Sequence, residues 1–158
     1  MSFKIIELHN NTLKVFEDGN VLVLGRYKPN KDEFYEKKCQ KDKDGYLRLN
    51  LSYKRKQKNY LIHRLVAFSF LNLDLENKKS EVDHKDRDNQ NNVVSNLRIV
   101  NHQQNQFNRY FKGYCKRGKK WQSRIQLNGN RIELGCFDNE EDAKQAYEDA
   151  KLIYHIIE

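Results

Sequence analysis

The segment EVDHKDRDNQNNVVSNLRIVNHQQNQFNR, Glu81–Arg109, restricts the fold more than any other part of the chain. Two short apolar runs, EVDH (Glu81–His84) and LRIV (Leu97–Val100), enclose a stretch, Lys85–Asn92, that has no apolar side chain. Such a stretch cannot be held by hydrophobic contact. Its backbone N–H and C=O groups need water or well-placed side chains as partners. Amides suit that task, because each carries both a donor and an acceptor. Asn96, just before the second run, can bond loop backbone in both directions and so fix His84 from behind. The outline is strand, long polar loop, strand, then a helix over Asn101–Arg109 with Asn101 as its N-cap.

The remainder of the chain is punctuated by turns. In TLKVFEDGNVLVL (Thr12–Leu24), apolar and β-branched residues flank Asp18-Gly19-Asn20, a hairpin signal. GYLRLNLSY (Gly45–Tyr53) alternates apolar and polar as a half-buried strand does. A basic turn, KRKQK (Lys54–Lys58), leads into NYLIHRLVAFSFL (Asn59–Leu71), read as a short strand running into a buried helix. Near the C-terminus, WQSRIQL and RIELGCF flank Asn128-Gly129-Asn130, a second hairpin. NEEDAKQAYEDAKLIYHI then forms an amphipathic helix capped by Asn139, with Ala143, Ala146, Tyr147, Ala150 and Tyr154 as its packing stripe. A chain of 158 residues can bury one core or a few small modules. The expected class is α+β.

Charge narrows the partner. The formal net charge is +8 and the isoelectric point about 9.3. The excess is local. Between residues 37 and 64, Lys37, Lys38, Lys41, Lys43, Arg48, Lys54, Arg55, Lys56, Lys58 and Arg64 outweigh Asp42 and Asp44. Between residues 111 and 135, Lys112, Lys116, Arg117, Lys119, Lys120, Arg124 and Arg131 outweigh Glu133 alone, whereas the helix that follows is mostly acidic. A basic sheet backed by an acidic helix suits a phosphate backbone, such as that of double-stranded DNA, so a polyanion is the expected partner. Cys39, Cys115 and Cys136 are an odd number without close spacing, which argues against a disulfide framework and a CxxC zinc site. Met1–Asn10 lacks the features of a signal peptide and no apolar run has membrane length; an intracellular protein, neither secreted nor membrane-bound, is expected.

Hydrolysis of a phosphodiester requires that water lose a proton and that a dication neutralise charge on the phosphate and the leaving oxygen. Asp83 and Asn105 offer hard oxygen donors, and His84 is a base that titrates near neutral pH. Neighbours on a regular strand point to opposite sides, so a bend at the strand end would be needed for Asp83 and His84 to share one site.

On Asp83-His84, NNVVSNLRIV (Asn91–Val100) and NHQQNQFN (Asn101–Asn108), the segment resembles the HNH, or ββα-metal, nuclease family in its homing-endonuclease form. The resemblance implies Asp83 and Asn105 as ligands of a divalent cation, Mg2+ first and Mn2+ as an alternative. It implies His84 as general base and Asn96 as the asparagine that orients it. The third motif position is Asn105 rather than His, a variation that relatives share. YLIHRLVAFSFL and DGYLRLNLS resemble the segments that precede the motif, with His63 structural. His102, one turn before Asn105, is a secondary candidate for phosphate or metal contact.

Residues 111 to 155 resemble an APETALA-type, ethylene-response-factor-like DNA-binding domain, in which a three-stranded sheet packed on a helix enters the major groove. That resemblance makes Arg117, Lys119, Trp121, Arg124, Gln126 and Arg131 candidates for DNA contact, with Lys120 beside them. Gly113, Gly135, Phe137, Ala143 and Ala146 would be structural. Core packing is the competing role for Trp121. Lys54, Arg55 and Lys56 are candidates for phosphate contact in the basic turn. The expected organisation is a β-rich DNA-contacting region (1–58), a ββα-metal nuclease core (59–110) and a DNA-binding domain (111–158) made of a three-stranded antiparallel sheet packed on one helix. The expected activity is that of a metal-dependent, site-selective DNA endonuclease, nicking as a monomer or cutting both strands as a homodimer. The alternatives are an inactive sequence-specific DNA-binding protein or regulator, and a restriction-type enzyme.

Overall fold

A computed structural model describes residues 2–26, 31–109 and 112–156. Phe111, the expected first residue of the C-terminal domain, lies outside them. The chain divides into two compact units, Met1–Ile99 and Val100–Glu158.

In the first unit, β1 (Phe3–Leu8), β2 (Asn11–Phe16), β3 (Val21–Leu24) and β4 (Phe34–Glu36) form an antiparallel sheet in that order. Leu13 and Val15 on β2, and Val21 and Val23 on β3, are buried at alternate positions, as the pleat requires. Val15 pairs with Val21, which places Asp18-Gly19-Asn20 in the turn, with Gly19 at φ +93°. A second sheet, β5 (Gln40–Lys41), β6 (Leu47–Tyr53) and β7 (Lys56–Leu61), buries Leu49 and Leu51. The basic turn is shorter than expected. Only Lys54 and Arg55 form it, both at positive φ, and Lys56–Lys58 belong to β7.

Helix α1 (Ile62–Phe70) contributes Ile62, Leu65, Val66 and Ala67 to the core shared by both sheets. Strands β8 (Glu81–His84) and β9 (Leu97–Val100) form a two-stranded sheet, and a 3-10 turn (Val94–Asn96) precedes β9. Val82 and Leu97 anchor these strands in the same core. Each buried aliphatic side chain contributes on the order of 1.5–3 kcal/mol, so the residues beside Val82 are held by the whole unit.

The second unit opens with α2 (His102–Phe107). Its N-terminus is a capping box in which the Gln104 amide donates to Asn101 Oδ1 and the Asn101 amide to Gln104 Oε1. Strands β10 (Tyr114–Arg117), β11 (Lys120–Leu127) and β12 (Asn130–Phe137) form an antiparallel sheet packed on α3 (Glu140–Tyr154). The β11–β12 turn has Asn128 and Gly129 at positive φ, the conformation Asn-Gly favours. Ile125, Tyr147 and Ala150 form the small core, and the alanines let the helix approach the strands.

Gly113 is constrained by packing. A Cβ placed there would lie 2.0 Å from the Tyr147 ring. Gly113→Ala is therefore expected to destabilise the second unit by on the order of 3 kcal/mol. A calorimetric melt of the full chain should show the loss; a shift under about 2 °C would contradict the packing argument.

Candidate active site

The polar loop after β8 is closed by its own side chains. The Asp86 amide donates to Asn96 Oδ1 at 3.1 Å, and Asn96 Nδ2 donates to Asp86 Oδ1 at 2.9 Å and to the Asn91 carbonyl at 2.8 Å. The Lys85 amide donates to the Asn96 carbonyl at 2.9 Å, which fixes the residue that follows His84. The Asp88 amide, then the side chains of Asn91 and Asn96, hold the Asp86 carboxyl below the usual carboxylate range. The amide excess is thus structural at identifiable positions.

His84 is the last residue of β8 and is buried. Its Nε2 lies 3.1 Å from Asn92 Oδ1. The direct bond to the ring therefore comes from Asn92. Asn96 makes the donor and acceptor bonds to loop backbone expected of it, and bonds the Asp86 carboxylate as well. With the amide oxygen accepting from Nε2–H, the ring lone pair is on Nδ1. Asn92 is itself backed by the β2–β3 turn: a Cβ on Gly19 would stand 2.7 Å from Asn92 Cβ, and the Val94 amide donates to the Glu17 carbonyl at 2.8 Å. The N-terminal sheet thereby buttresses the His84 support.

His63, on α1, meets the His84 ring edge-on at 5.1 Å, and Tyr46 lies 5.0 Å from His63. Burial, then the charge of His84, push the His63 imidazole down from its ordinary 6.5 to about 3. His63 Nδ1 is buried without a hydrogen-bond partner among the described residues. Above pH 6.5 the ring is neutral whether the chain is folded or not. Between 6.5 and about 3 the unfolded chain takes up a proton that the folded chain refuses. Stability contributed here falls as pH is lowered through that window, by up to about 1.4 kcal/mol per pH unit. Urea midpoints measured at several pH values should show this slope, and His63→Phe should flatten it.

Asp83 is 6% exposed. Arg98, on β9, donates to its Oδ2 through Nη2 at 2.6 Å and Nε at 2.7 Å. Asp83 and His84 thus hold different partners. The Asp83 carboxylate is a hard oxygen donor of the kind Mg2+ takes alongside water and phosphate, so its chemistry suits a divalent cation. Among the described residues no three His, Cys, Asp or Glu side chains cluster as a metal cage. Asn105 is half-buried on α2 in the second unit, where its amide donates to the Asn101 carbonyl at 3.0 Å. His102 is exposed on the same helix, with Nε2 3.4 Å from Gln106 Nε2.

The C-terminal sheet sorts the DNA-contact candidates by face. Ser123 and Ile125 are buried toward α3, so Trp121, two residues before Ser123, shares their side. Trp121 is half-buried, 6.4 Å from Tyr114, and Lys112 lies over its ring. The opposite face carries Arg117 beside Lys120, Arg124 beside Glu133, and Gln126 beside Arg131. Lys119 is exposed in the β10–β11 turn. In the first unit Lys54, Arg55 and Lys56 are exposed, and Lys54 Nζ lies 5.2 Å from the Tyr53 ring centroid.

Asn92 and Arg98 were the residues that sequence reasoning missed. Nothing in the amide run separates Asn92 from its neighbours. Arg98 had a signal: an arginine on the strand paired with the one that carries the candidate carboxylate.

Residues 60–107 match the family model described as HNH endonuclease. Among solved structures, the chain is similar to that of "DNA binding and cleavage by the HNH homing endonuclease I-HmuI", with 34% identity over 68% of this chain and a TM-score of 0.54. It spans 57% of that chain. No curated protein sequence matches. No helix among the described residues is long and apolar enough to cross a membrane.

Proposed function

We propose that this chain, whose residues 60–107 carry an HNH endonuclease domain, is a metal-dependent, site-selective DNA endonuclease of the homing type. The observation that carries the reading is the pairing of consecutive residues with separate supports: His84 bonded to Asn92, and Asp83 bonded to Arg98. A base and a hard oxygen ligand are each fixed by a neighbour, as phosphodiester hydrolysis needs. The similarity to an HNH homing endonuclease supports the same reading.

In this mechanism His84 takes a proton from water at Nδ1, while Asn92 keeps the ring in the required tautomer. The water oxygen bonds to phosphorus, the bond from phosphorus to the 3′-oxygen breaks, and the departing 3′-oxygen takes a proton from solvent water. The products are a 5′-phosphate and a 3′-hydroxyl. Asp83 and Asn105 would hold the divalent cation, which supplies charge neutralisation at the phosphate and leaving oxygen. Asn96 keeps the loop closed behind His84. Residues 1–58 would clamp DNA through Lys54, Arg55 and Lys56, residues 59–110 would cut, and residues 111–158, resembling the APETALA-type domain, would read the site. Such a protein acts inside the cell. The described residues carry one such site, so a monomer would nick and a homodimer would break both strands.

The test is relaxation of supercoiled plasmid with Mg2+ or Mn2+, with and without chelator. Metal-dependent nicking supports the enzyme. Tight binding without cleavage of any sequence in a randomised library would leave the other reading, a DNA-binding regulator, which the basic outer face of the C-terminal sheet favours. The cleaved sequences recovered from such a library would separate homing from restriction.

Lys119→Ala with Lys120→Ala should weaken binding on all sequences alike. The salt slope of the binding constant should fall by up to about two units, because each phosphate contact contributes about 0.9. Binding isotherms at several salt concentrations check this.

A further inference from the structure

We propose that Arg98 is a positioning residue of the metal site: its guanidinium balances the buried Asp83 carboxylate and fixes its direction, so the oxygen ligand is in place before a dication arrives. The inference rests on the nuclease reading for the identity of the cation, but the pairing is independent of it.

Two N–H groups of Arg98 converge on one oxygen of Asp83, at 2.6 and 2.7 Å. The side chain of Asp83 is 7% exposed and that of Arg98 28%. A carboxylate so little exposed needs a compensating charge, and removing one partner of such a pair is far more damaging than removing both. Two donors on a single oxygen restrict rotation of the carboxylate about its last bond more than one donor would. Both residues sit on short strands anchored in the core by Val82 and Leu97, which adjoin them in sequence. The backbone is therefore set by folding and the direction of the carboxylate by Arg98. A metal ion that enters this arrangement meets a ligand already in place.

A metal-free test follows from the charge argument. Arg98→Met keeps the length of the side chain and removes the charge. In chelator it should lower the thermal midpoint of the full chain by about 5–10 °C. Asp83→Asn combined with Arg98→Met should recover most of that loss, because no buried charge is then uncompensated. Arg98→Lys should lie between wild type and Arg98→Met, since it keeps the charge and loses the fork. If Arg98→Met does not fold, Arg98→Lys against its own double with Asp83→Asn gives the same comparison.

A second arm adds millimolar Mn2+ in place of chelator. The midpoint of Arg98→Met should rise by several degrees more than that of wild type, because the dication supplies the missing charge. Equal losses in the single and double variants would overturn the proposal and leave Arg98 as packing. Coupling without any differential rise in Mn2+ would also overturn it, leaving an ordinary buried ion pair. If coupling and the metal response both appear but the wild-type protein cuts no plasmid, the inference stands and the nuclease reading fails.

Discussion

Replacing His84 with Ala should reduce plasmid nicking by about two to four orders of magnitude while leaving DNA affinity within about twofold of wild type. His84 is the only histidine of the candidate set that has both an orienting partner and a position beside the candidate carboxylate ligand. His63 is held neutral by burial, and His102 lies exposed on another element. Loss of the His84 ring removes the proton acceptor without touching the exposed lysines and arginines that would bind phosphate. A Mg2+- or Mn2+-supported nicking time course, run beside a binding titration, separates the two effects. Parallel losses of cutting and binding would point instead to collapse of the cluster formed by Tyr46, His63 and His84. A circular dichroism melt identifies that case. Full activity in His84→Ala would remove the general base from the mechanism.

Features with local chemistry were legible in the sequence. Asp18-Gly19-Asn20 and Asn128-Gly129-Asn130 were readable as turns because Gly and Asn tolerate positive φ where other residues resist it, and both positions take it. Asn101 and Asn139 were readable as caps because their side chains bond near neighbours in sequence, the Gln104 and Asp142 amides. The Lys54–Arg55 turn was not placed correctly, since neither residue type favours the left-handed conformation both adopt. Pairing of β7 with β6 determines where that turn falls, and pairing is not local.

The same division holds within the site. Asp83 and His84 stand out as chemistry-bearing residues. Their supports, Asn92, Arg98 and the close approach of Gly19, become visible only when distant segments meet. Asn92 lies eight residues beyond His84, and Gly19 more than sixty residues before it. The sharing of one core by two N-terminal sheets, α1, β8 and β9 likewise depends on contacts that no window of sequence contains. On the C-terminal sheet, alternation alone could have sorted Trp121 from Arg124. It needed one buried residue, Ser123, to say which face was which.

Changing Arg117, Arg124 and Arg131 together to Ala should reduce affinity for the preferred DNA sequence by about two to four orders of magnitude while sparing the rate of nicking at saturation. The register places the three on one face of the sheet, away from α3, on three different strands. A groove-facing sheet presents side chains in that fashion, and arginine can bond guanine edges through two donors, worth about 1–3 kcal/mol for each good pair. Effects of neighbouring contacts do not simply add, so the total should fall short of three full contacts. Glu133 opposes Arg124 and accepts from Gln122 Nε2 at 2.7 Å, and its charge would repel a phosphate placed at the centre of the face. This arrangement favours contact with base edges over purely electrostatic grip. The discriminating measurement is the ratio of affinities for a selected site and a scrambled one, at fixed salt. The triple variant should bring that ratio close to one. The Lys119 and Lys120 replacements should leave it unchanged, and so should Trp121→Phe, which lies on the face that Ser123 and Ile125 share. An unchanged ratio in the triple variant would mean that the sheet does not supply the address.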